Sequence, residues 1–305
     1  MRVFVTGATG FIGSAVVREL LDAGHDVVGL ARSDEAAASL GAAGAVAHRG
    51  DLNDLESLRR GAAAADGVIH TAYNHDFSVS RLDAAAADRR AIVAMGEALA
   101  GSDRPFVITS GTGVRAPGQM ATEDTTPDVS SDSTGRYATE RVAFSFVERG
   151  VRASVVRFPP SVHGRGDHGF LPILINIART KSVSAYPDDG SNRWPAVHRL
   201  DAAHLFRLAV ESAPAGARLH GVAEEGIPVR DIAEAIAGHL NVPVKSISVD
   251  EAPDHFGFLG SFLSLDCPAS SALTRKLLAW HPVQSGLIAD LEEGHYFEPV
   301  GAMAS

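Results

Sequence analysis

The stretch RVFVTGATGFIGSAVVRELLDAG, residues 2–24, decides the fold of this chain. RVFVTG is a short apolar run ended by Gly7, which is typical of a buried strand. In the residues that follow, apolar side chains recur at helical spacing with polar side chains between them, and Gly24 ends the pattern. The stretch therefore predicts a strand, a glycine-rich turn and an amphipathic helix, in that order.

The same alternation continues to about Arg165. Strands are predicted at DVVGLAR, AVAHRGD, GVIHTA, PFVITSG and ASVVRFP, and helices at DLESLRRGAAAA, residues 81–100 and residues 137–148. Asn53 is expected to cap the first of these helices, with Glu56 three residues on. Strands that alternate with helices of this length imply right-handed crossovers, and so an α/β fold with a doubly wound parallel sheet, the Rossmann fold.

The glycines of the first turn are spaced to hold phosphate. Glycine permits a tight turn, lets backbone N–H groups approach a pyrophosphate, and allows close packing of helix on strand. Because the triplet lies between a strand and a helix, we expect a dinucleotide here rather than three incidental turn glycines. The cofactor-binding residues expected in this loop are Gly7, Thr9, Gly10, Phe11, Ile12 and Gly13.

The end of the second strand indicates which dinucleotide binds. In this fold an acidic residue about 20 positions after the glycines binds the ribose 2′-hydroxyl of NAD. The strand DVVGLARSDE instead ends in Arg32 and Ser33, and a guanidinium with a hydroxyl suits the 2′-phosphate of NADP. We therefore expect NADP as the cofactor, while Asp34 close by keeps NAD open.

The second half of the chain is less regular. Two amphipathic helices are predicted, in VHRLDAAHLFRLAVESA and PVRDIAEAIAGHL, among Gly-, Pro- and Phe-bearing stretches without a clear period. The sequence therefore predicts a dinucleotide-binding domain of residues 1–165, to which residues of about 198–223 return. Residues 166–197 and 224–305 would form a smaller, irregular substrate lobe.

Composition excludes several classes of partner. The net charge of -10 argues against nucleic acid, since phosphate binding needs clustered Lys and Arg. The sequence has no apolar run of about 18 residues that could span a bilayer, and because MRVFVTG leads straight into a strand we expect no cleavable targeting signal. Cys267 is the single cysteine and has no basic neighbour in LSLDCPAS, so we expect a buried thiol in a reducing compartment. We expect a cytoplasmic protein that acts on a small molecule, without a membrane partner.

With these pieces placed, the chain resembles an extended or atypical short-chain dehydrogenase/reductase of the NAD(P)-dependent epimerase/dehydratase-like kind. TGATGFIG matches that family's TGxxGxxG loop, and GDLND its adenine-side Asp-Leu. RFPPSVHGRG, AVHRLDAAH and RKLLAWHP resemble its Arg-Pro-Tyr-Gly, VHVDD and Leu-Gly-Trp-x-Pro segments, so the resemblance covers nearly the whole length. Family members often form homodimers, but no helix face here is apolar enough to demand one, and a homodimer stays open.

The resemblance implies further cofactor contacts. Asp51 and Leu52 would flank the adenine. The other implied residues follow two strand ends: His70, Thr71 and Ala72 beneath the dinucleotide, and Pro159, Ser161 and Val162 along the nicotinamide. The alternative for each position is ordinary core or loop packing.

The family's catalytic pattern is a Tyr followed four residues later by a Lys on the same helical face. Its Lys holds the nicotinamide ribose and lowers the Tyr pKa, and a Ser or Thr at the end of the fifth strand binds the substrate oxygen. Of the four tyrosines only Tyr137 has a basic partner, and that partner is Arg141. Arginine keeps the charge but cannot release a proton, so the resemblance implies an altered proton path. Ser110 and Thr112 are both candidates for the hydroxyl.

Histidines and aromatic residues offer weaker signals. His198, Asp201 and His204 are spaced three apart, but we expect no metal site there, because the resemblance places them at a domain junction where Asp201 would cap a helix. The irregular lobe carries aromatic side chains that would suit an apolar substrate, or simply form its core. The substrate contacts expected near this lobe are His163, Trp194 and Phe170.

Taken together, the sequence predicts an NADP-dependent oxidoreductase that transfers hydride between nicotinamide and a small, apolar carbonyl or alcohol substrate. Tyr137 would be the acid–base group and Arg141 the ribose clamp. One alternative is a sugar-nucleotide epimerase or dehydratase, although the small lobe is sparse in the basic residues that such substrates generally need. The other alternative is a non-catalytic NADP-binding sensor of the same fold.

Overall fold

The structure, a computed structural model, describes residues 1–74, 80–112, 118–126 and 135–298. The strands are β1 (Arg2–Thr6), β2 (Asp26–Ala31), β3 (Val46–Arg49), β4 (Gly67–His70), β5 (Pro105–Gly111), β6 (Arg152–Phe158), β7 (Ser161–His163), β8 (Ser184–Pro187), β9 (Arg193–His198), β10 (Arg218–His220), β11 (Glu224–Pro228) and β12 (Val244–Ile247). The helices are α1 (Phe11–Asp22), α2 (Asp34–Ala42), α3 (Leu55–Ala63), α4 (Arg81–Leu99), α5 (Arg136–Phe144), α6 (Phe170–Lys181), α7 (Arg199–Ser212), α8 (Val229–Leu240), α9 (Ala252–Phe256), α10 (Gly260–Leu263), α11 (Ala272–Leu278) and α12 (Leu287–Glu292).

A seven-stranded parallel sheet forms the centre, in the order β10-β6-β5-β4-β1-β2-β3. The predicted doubly wound fold is therefore confirmed. The strand β10 was not predicted, because its three residues are too few to show a period. The strand order reverses between β1 and β4, and in such sheets ligands bind in the crevice beyond the carboxyl ends of these two strands.

Apolar side chains fill both faces of this sheet. One cluster joins β1, β4 and β5 to α1 and α7, and a second packs α3, α4 and α5 on the opposite face. Burial at about 25 cal/mol per Å² of apolar surface makes these two layers the main source of folding free energy. The carboxyl ends of the strands, which α1 and α5 flank, are thereby held in a fixed frame.

The C-terminal part carries its own apolar cluster. It is built from α6, α8 and the short helices after residue 250, around Trp194. Two small sheets border it, one of β11, β9 and β7 and one of β12 and β8. The predicted domain limits at residues 165, 198 and 223 stay predictions.

Two predicted helix caps were wrong. The helix α3 is capped by Asp54, whose carboxylate accepts a hydrogen bond from the Ser57 amide at 2.9 Å, and not by Asn53. The helix α7 is capped by His198. Asp201 lies inside that helix and accepts hydrogen bonds from the amides of residues 283 and 284, because its carboxylate is turned toward the C-terminal segment.

Cys267 is buried, as expected, and burial raises the pKa of its thiol to about 12. A thiol with so high a pKa carries almost no thiolate at neutral pH and is a poor nucleophile. Among the helices of the described residues, none combines the length and apolar character needed to cross a membrane.

A buried polar cluster lies between β10 and α11. His220 is fully buried, and its Nδ1 donates a hydrogen bond to the Ser270 carbonyl at 2.8 Å. Its Nε2 has no hydrogen-bond partner among the described residues. Burial lowers the pKa of His220 to about 4, with Arg157 lowering it further and the Glu123 carboxylate opposing both. The folded protein therefore keeps this imidazole neutral.

We expect the stability to fall as the pH drops from about 6.5 to about 4. In this window the unfolded chain protonates His220 at its ordinary pKa, whereas the folded chain does so only near 4. The loss would amount to about 3 kcal/mol for this one side chain. Urea unfolding at a series of pH values measures it. His220→Asn should flatten the pH dependence and exposed His281→Asn should not; equal slopes for the two variants would contradict the assignment.

Candidate active site

The glycine turn after β1 has the geometry of a phosphate loop. Gly7 has a φ of 68°, and its carbonyl accepts a hydrogen bond from the Gly10 amide at 2.9 Å. A Cβ on Gly7 would lie 2.7 Å from the Ala72 amide nitrogen, and one on Gly13 would lie 1.9 Å from the Gly7 carbonyl oxygen. Only glycine fits these two positions, so the loop folds tightly against both β4 and α1.

The start of α1 is left open for a ligand. Its N-cap is Gly10, which has no side chain to cap the first amides. Thr9 and Gly10 are exposed, and Phe11 and Ile12 are half-buried beside them. First-turn N–H groups and the positive end of the helix dipole together form an anion site. The residues present therefore fit the pyrophosphate of a dinucleotide.

The end of β2 presents the residues expected to select the cofactor. Arg32 and Ser33 are both exposed, and the Ser33 hydroxyl caps α2 by accepting a hydrogen bond from the Ala36 amide at 3.1 Å. Asp34 forms an ion pair of 2.9 Å with Arg49 at the end of β3. Two guanidinium groups thus lie near the start of α2, and the charge of the Asp34 carboxylate is partly neutralised by Arg49.

The adenine-side residues follow β3. Asp51 is exposed and its carboxylate accepts a hydrogen bond from the Asn53 amide at 2.7 Å, while Leu52 is half-buried. Both lie in the loop between β3 and α3, and β3 is paired with β2, the strand that ends just before Arg32. This position agrees with a role along the adenosine half of a dinucleotide, and the role itself stays a prediction.

A buried hydrogen-bond chain runs beneath the phosphate loop. The Thr6 hydroxyl accepts from the Ala72 amide at 3.4 Å and lies 2.6 Å from Nδ1 of His70. Nε2 of His70 lies 2.8 Å from a carboxylate oxygen of Asp88 in α4, and all three side chains are buried. The Thr71 hydroxyl donates to the Thr6 carbonyl at 2.8 Å. The ends of β1 and β4 are thereby fixed to each other and to α4.

The buried hydrogen-bond chain extends from Asp88 to α5, the helix that carries Tyr137. Arg136, the first residue of α5, lies 3.5 Å from the second oxygen of Asp88, a charge contact longer than a good hydrogen bond. Its guanidinium stacks on the ring of Tyr73, 3.6 Å from the centroid. The amino end of α5 is thus tied to the ends of β4 and α4.

Tyr137 and Arg141 share one face of α5, since four residues make about one helical turn. Tyr137 is half-buried and Arg141 is exposed. At the adjacent end of β5, Ser110 is buried and its hydroxyl has no hydrogen-bond partner among the described residues. Thr112 is also buried, and its amide donates to the Phe158 carbonyl at 2.9 Å. Of the two candidates, Ser110 is the one whose buried hydroxyl is without a hydrogen-bond partner among the described residues.

A buried ion pair fixes the orientation of α5. Arg157 in β6 donates to both carboxylate oxygens of Glu140, at 2.9 and 2.6 Å, and also to the Thr125 carbonyl at 3.0 Å. Arg157 is the register partner of Ser110 in the sheet. Glu140 and Arg157 are almost fully buried, so the face of α5 with Glu140 is turned to the sheet.

The segment after β6 contributes the residues expected along the nicotinamide. Pro159 and Ser161 are buried and Val162 is half-buried; the Ser161 hydroxyl has no partner among the described residues. His163, expected near the substrate, is fully buried, and its Nδ1 lies 2.8 Å from the Asp290 carboxylate. The other oxygen of Asp290 is 2.9 Å from His295. His163 therefore presents no accessible atom to a substrate.

The aromatic residues predicted to contact the substrate lie largely in the hydrophobic core. Trp194 is fully buried, with its ring centroid 5.9 Å from that of Phe170 and 5.4 Å from that of Phe262. The predicted substrate contact of Trp194 has no support in this geometry, because neighbouring rings cover it. Phe170, at the start of α6, is half-buried and keeps part of its ring accessible.

Sequence reasoning missed several residues of the site. Asp88 lies at helical spacing from the buried apolar residues of α4, so an acid on the core-facing stripe was a visible signal of a buried partner. Arg136 directly precedes Tyr137, but no sequence pattern indicated that it would contact Asp88 of α4. Glu140 and Arg157 are 17 positions apart in the sequence, and no sequence pattern indicated that they pair.

Fold and site together define a Rossmann protein built to hold a dinucleotide. Comparison with known proteins agrees. The model of the NAD dependent epimerase/dehydratase family matches residues 3–220, and the chain therefore belongs to this family, as its resemblance predicts. It is an enzyme family of the oxidoreductase type.

Three relatives illustrate the range. An uncharacterized protein of Schizosaccharomyces pombe is 53% identical over 298 residues, covering 97% of this chain and 100% of the relative. The 4-hydroxy-2-methyl-3-oxo-4-farnesyl-3,4-dihydroquinoline-1-oxide ketoreductase of Stigmatella aurantiaca is 30% identical, over 71% of this chain and 66% of its own. The structure of DesIV, a dTDP-glucose 4,6-dehydratase of Streptomyces venezuelae with NAD bound, superposes with a TM-score of 0.79 at 19% identity, covering 99% and 98% of the two chains.

We predict that Gly13→Ala weakens both folding and dinucleotide binding. The new Cβ would lie 1.9 Å from the Gly7 carbonyl oxygen, so α1 must move away from β1, at a cost of about 1–3 kcal/mol or more. Thermal unfolding and an NADPH titration measure the two effects. The control is Gly41→Ala in α2, where no atom lies within 4 Å and the change should stabilise by up to about 1 kcal/mol. Similar behaviour of the two variants would contradict the tight loop.

Proposed function

We propose that the chain is an NADP-dependent oxidoreductase that reduces a small, apolar carbonyl compound or oxidises the corresponding alcohol. The observation that carries the proposal is that three parts of the predicted site lie at the same edge of the central sheet. The open phosphate loop, the Ser110 hydroxyl, which has no partner among the described residues, and the face of α5 with Tyr137 and Arg141 all belong to the carboxyl edge of one parallel sheet.

The charges at the end of β2 support NADP over NAD. Arg32 is exposed there, and Asp34, which could bind a ribose hydroxyl, is paired with Arg49. That ion pair is solvent-exposed, so it contributes little to stability and can be exchanged for a phosphate. A 2′-phosphate would meet two guanidinium groups, whereas the 2′-hydroxyl of NAD would have to compete with Arg49 for Asp34.

Tyr137 is the proposed acid–base group. A bound dinucleotide would supply or accept the hydride. During reduction the Tyr137 phenol would give its proton to the carbonyl oxygen, so that the phenol O–H bond and the C=O π bond break and the O–H bond of the alcohol forms. Ser110 would donate a hydrogen bond to the same oxygen, and Arg141 would hold the ribose. Because arginine cannot release a proton, Tyr137 must be reprotonated from solvent.

The substrate side favours an apolar carbonyl compound. Phe170 and Phe262 are half-buried aromatic residues whose ring centroids lie 5.2 Å apart, and Phe258 is 46% exposed. Aromatic walls of this kind bury apolar ligands. The ketoreductase of Stigmatella aurantiaca is named for a farnesylated oxo-quinoline, a carbonyl compound with a large apolar group.

We predict that Tyr137→Phe lowers turnover of a carbonyl panel with NADPH by about a hundredfold or more, because general acid catalysis is lost. The KM for NADPH should stay the same, since the phenol oxygen does not hold the nucleotide. Tyr186→Phe, at a half-buried tyrosine of β8, is the matched control and should keep full activity. Equal rates for wild type and Tyr137→Phe would remove Tyr137 from the mechanism.

The same assays separate the other functions. A sensor would bind NADPH but oxidise none of it with any carbonyl of the panel. An epimerase or dehydratase would convert a sugar nucleotide without net consumption of NADPH. Either result would overturn the proposed reaction while leaving nucleotide binding intact.

For the cofactor we predict that Arg32→Ala weakens NADPH binding by about tenfold or more and leaves NADH binding unchanged, because one charge-assisted hydrogen bond is lost. Fluorescence titrations with both nucleotides measure the preference. Arg179→Ala, which removes an exposed cation from α6, is the control for net charge. An unchanged ratio of the two dissociation constants in Arg32→Ala would reject this role.

A further inference from the structure

Arg199 is a cation that the helix α7 brings to the phosphate loop. Its Nη2 donates a hydrogen bond to the Ser14 hydroxyl at 2.9 Å, and its guanidinium carbon lies 4.7 Å from the centroid of the Phe11 ring. Ser14 and Phe11 both belong to the first turns of α1, at the end where the amides are uncapped. The guanidinium therefore lies beside the anion site without being part of the glycine turn.

The surroundings of Arg199 leave its charge unbalanced. Nη1 donates to the Arg165 carbonyl at 2.7 Å, but Nε is buried without a hydrogen-bond partner in the described part of the chain. No carboxylate of the described residues forms an ion pair with Arg199. A half-buried guanidinium of this kind is costly unless an anion accompanies it. Burial accordingly lowers the pKa of Arg199, with Asp167 opposing.

The loop opposite Arg199 is shaped around its side chain. Gly164 has a φ of 130°, and a Cβ there would lie 3.0 Å from Cγ of Arg199 and 2.7 Å from Nε2 of His198. The Gly164 amide donates to the Tyr296 hydroxyl at 3.0 Å, and that hydroxyl donates to Asp167 at 3.1 Å. The C-terminal segment thus holds this loop in place, and the loop holds Arg199 against α1.

We propose that Arg199 binds the pyrophosphate of the dinucleotide, as a guanidinium added from α7 to the amides of the phosphate loop. The inference rests on the proposed nucleotide binding. It adds a residue outside the loop, Arg199, whose positive charge would attract the phosphates. Phe11 supports the planar guanidinium by stacking, and Ser14 and the Arg165 carbonyl fix two of its nitrogens. Each terminal nitrogen carries two N–H groups and uses one of them here, so the guanidinium keeps donors for a phosphate oxygen, a pairing for which arginine is well suited.

The experiment compares a ligand that has a pyrophosphate with one that lacks it. NADP⁺ contains the pyrophosphate, whereas adenosine 2′-monophosphate keeps the adenine and the 2′-phosphate only. Arg199→Gln should weaken NADP⁺ binding by about tenfold to a hundredfold and leave the 2′-monophosphate unchanged. Arg199→Lys keeps the charge without the planar fork and should weaken NADP⁺ by a smaller factor. Arg179→Gln controls for net charge and should change neither ligand.

Dissociation constants from calorimetry or NMR titration, with thermal unfolding of each variant, decide the outcome. If Arg199→Gln does not fold, Arg199→Lys alone provides the comparison of the two ligands. Equal weakening of both ligands would show that Arg199 only holds the loop in place and would overturn the inference, as would no change for either ligand. Failure of the wild type to bind any dinucleotide would instead overturn the proposed function itself.

Discussion

The buried ion pair between Arg157 and Glu140 is the constraint on which the arrangement of the proposed active site, at the carboxyl edge of the sheet, depends. Two charges out of water are stable only when each satisfies the other, and removing one partner of such a pair costs about 3–5 kcal/mol. Here the pair is bidentate, with distances of 2.6 and 2.9 Å, and both residues are almost fully buried. Because Glu140 must face β6, α5 cannot rotate, and the face with Tyr137 and Arg141 is set by that pairing.

A second chain of contacts joins this helix to the nucleotide side. Thr6, His70 and Asp88 connect the ends of β1 and β4 to α4, and Arg136 continues the connection to the start of α5. The phosphate loop packs directly on the same strand ends, since Gly7 leaves no room for a Cβ beside Ala72. The position of a bound dinucleotide and the position of the proposed acid–base tyrosine are therefore set by one continuous set of buried groups.

Much of this arrangement was predictable from the sequence because it is local. The glycine turn, the strand periodicity and the spacing of Tyr137 and Arg141 each lie within a dozen residues, and they led to the correct fold and family. The unpredicted parts are non-local pairings: Glu140 with Arg157, Asp88 with His70, and Arg199 with Ser14 across 185 residues. Local pattern also did not reveal that Trp194 and His163 are fully buried, since an aromatic or a histidine beside a cleft and one in the core have the same sequence signature.

The most direct test of the account is a crystal structure of the protein with NADP⁺ bound. The account predicts the pyrophosphate on the first-turn amides of α1, the 2′-phosphate beside Arg32, and the nicotinamide ring facing the phenol oxygen of Tyr137. The Arg141 guanidinium should then contact the nicotinamide ribose. A dinucleotide seated in the loop with the Tyr137 phenol turned to bulk solvent would contradict the proposed chemistry.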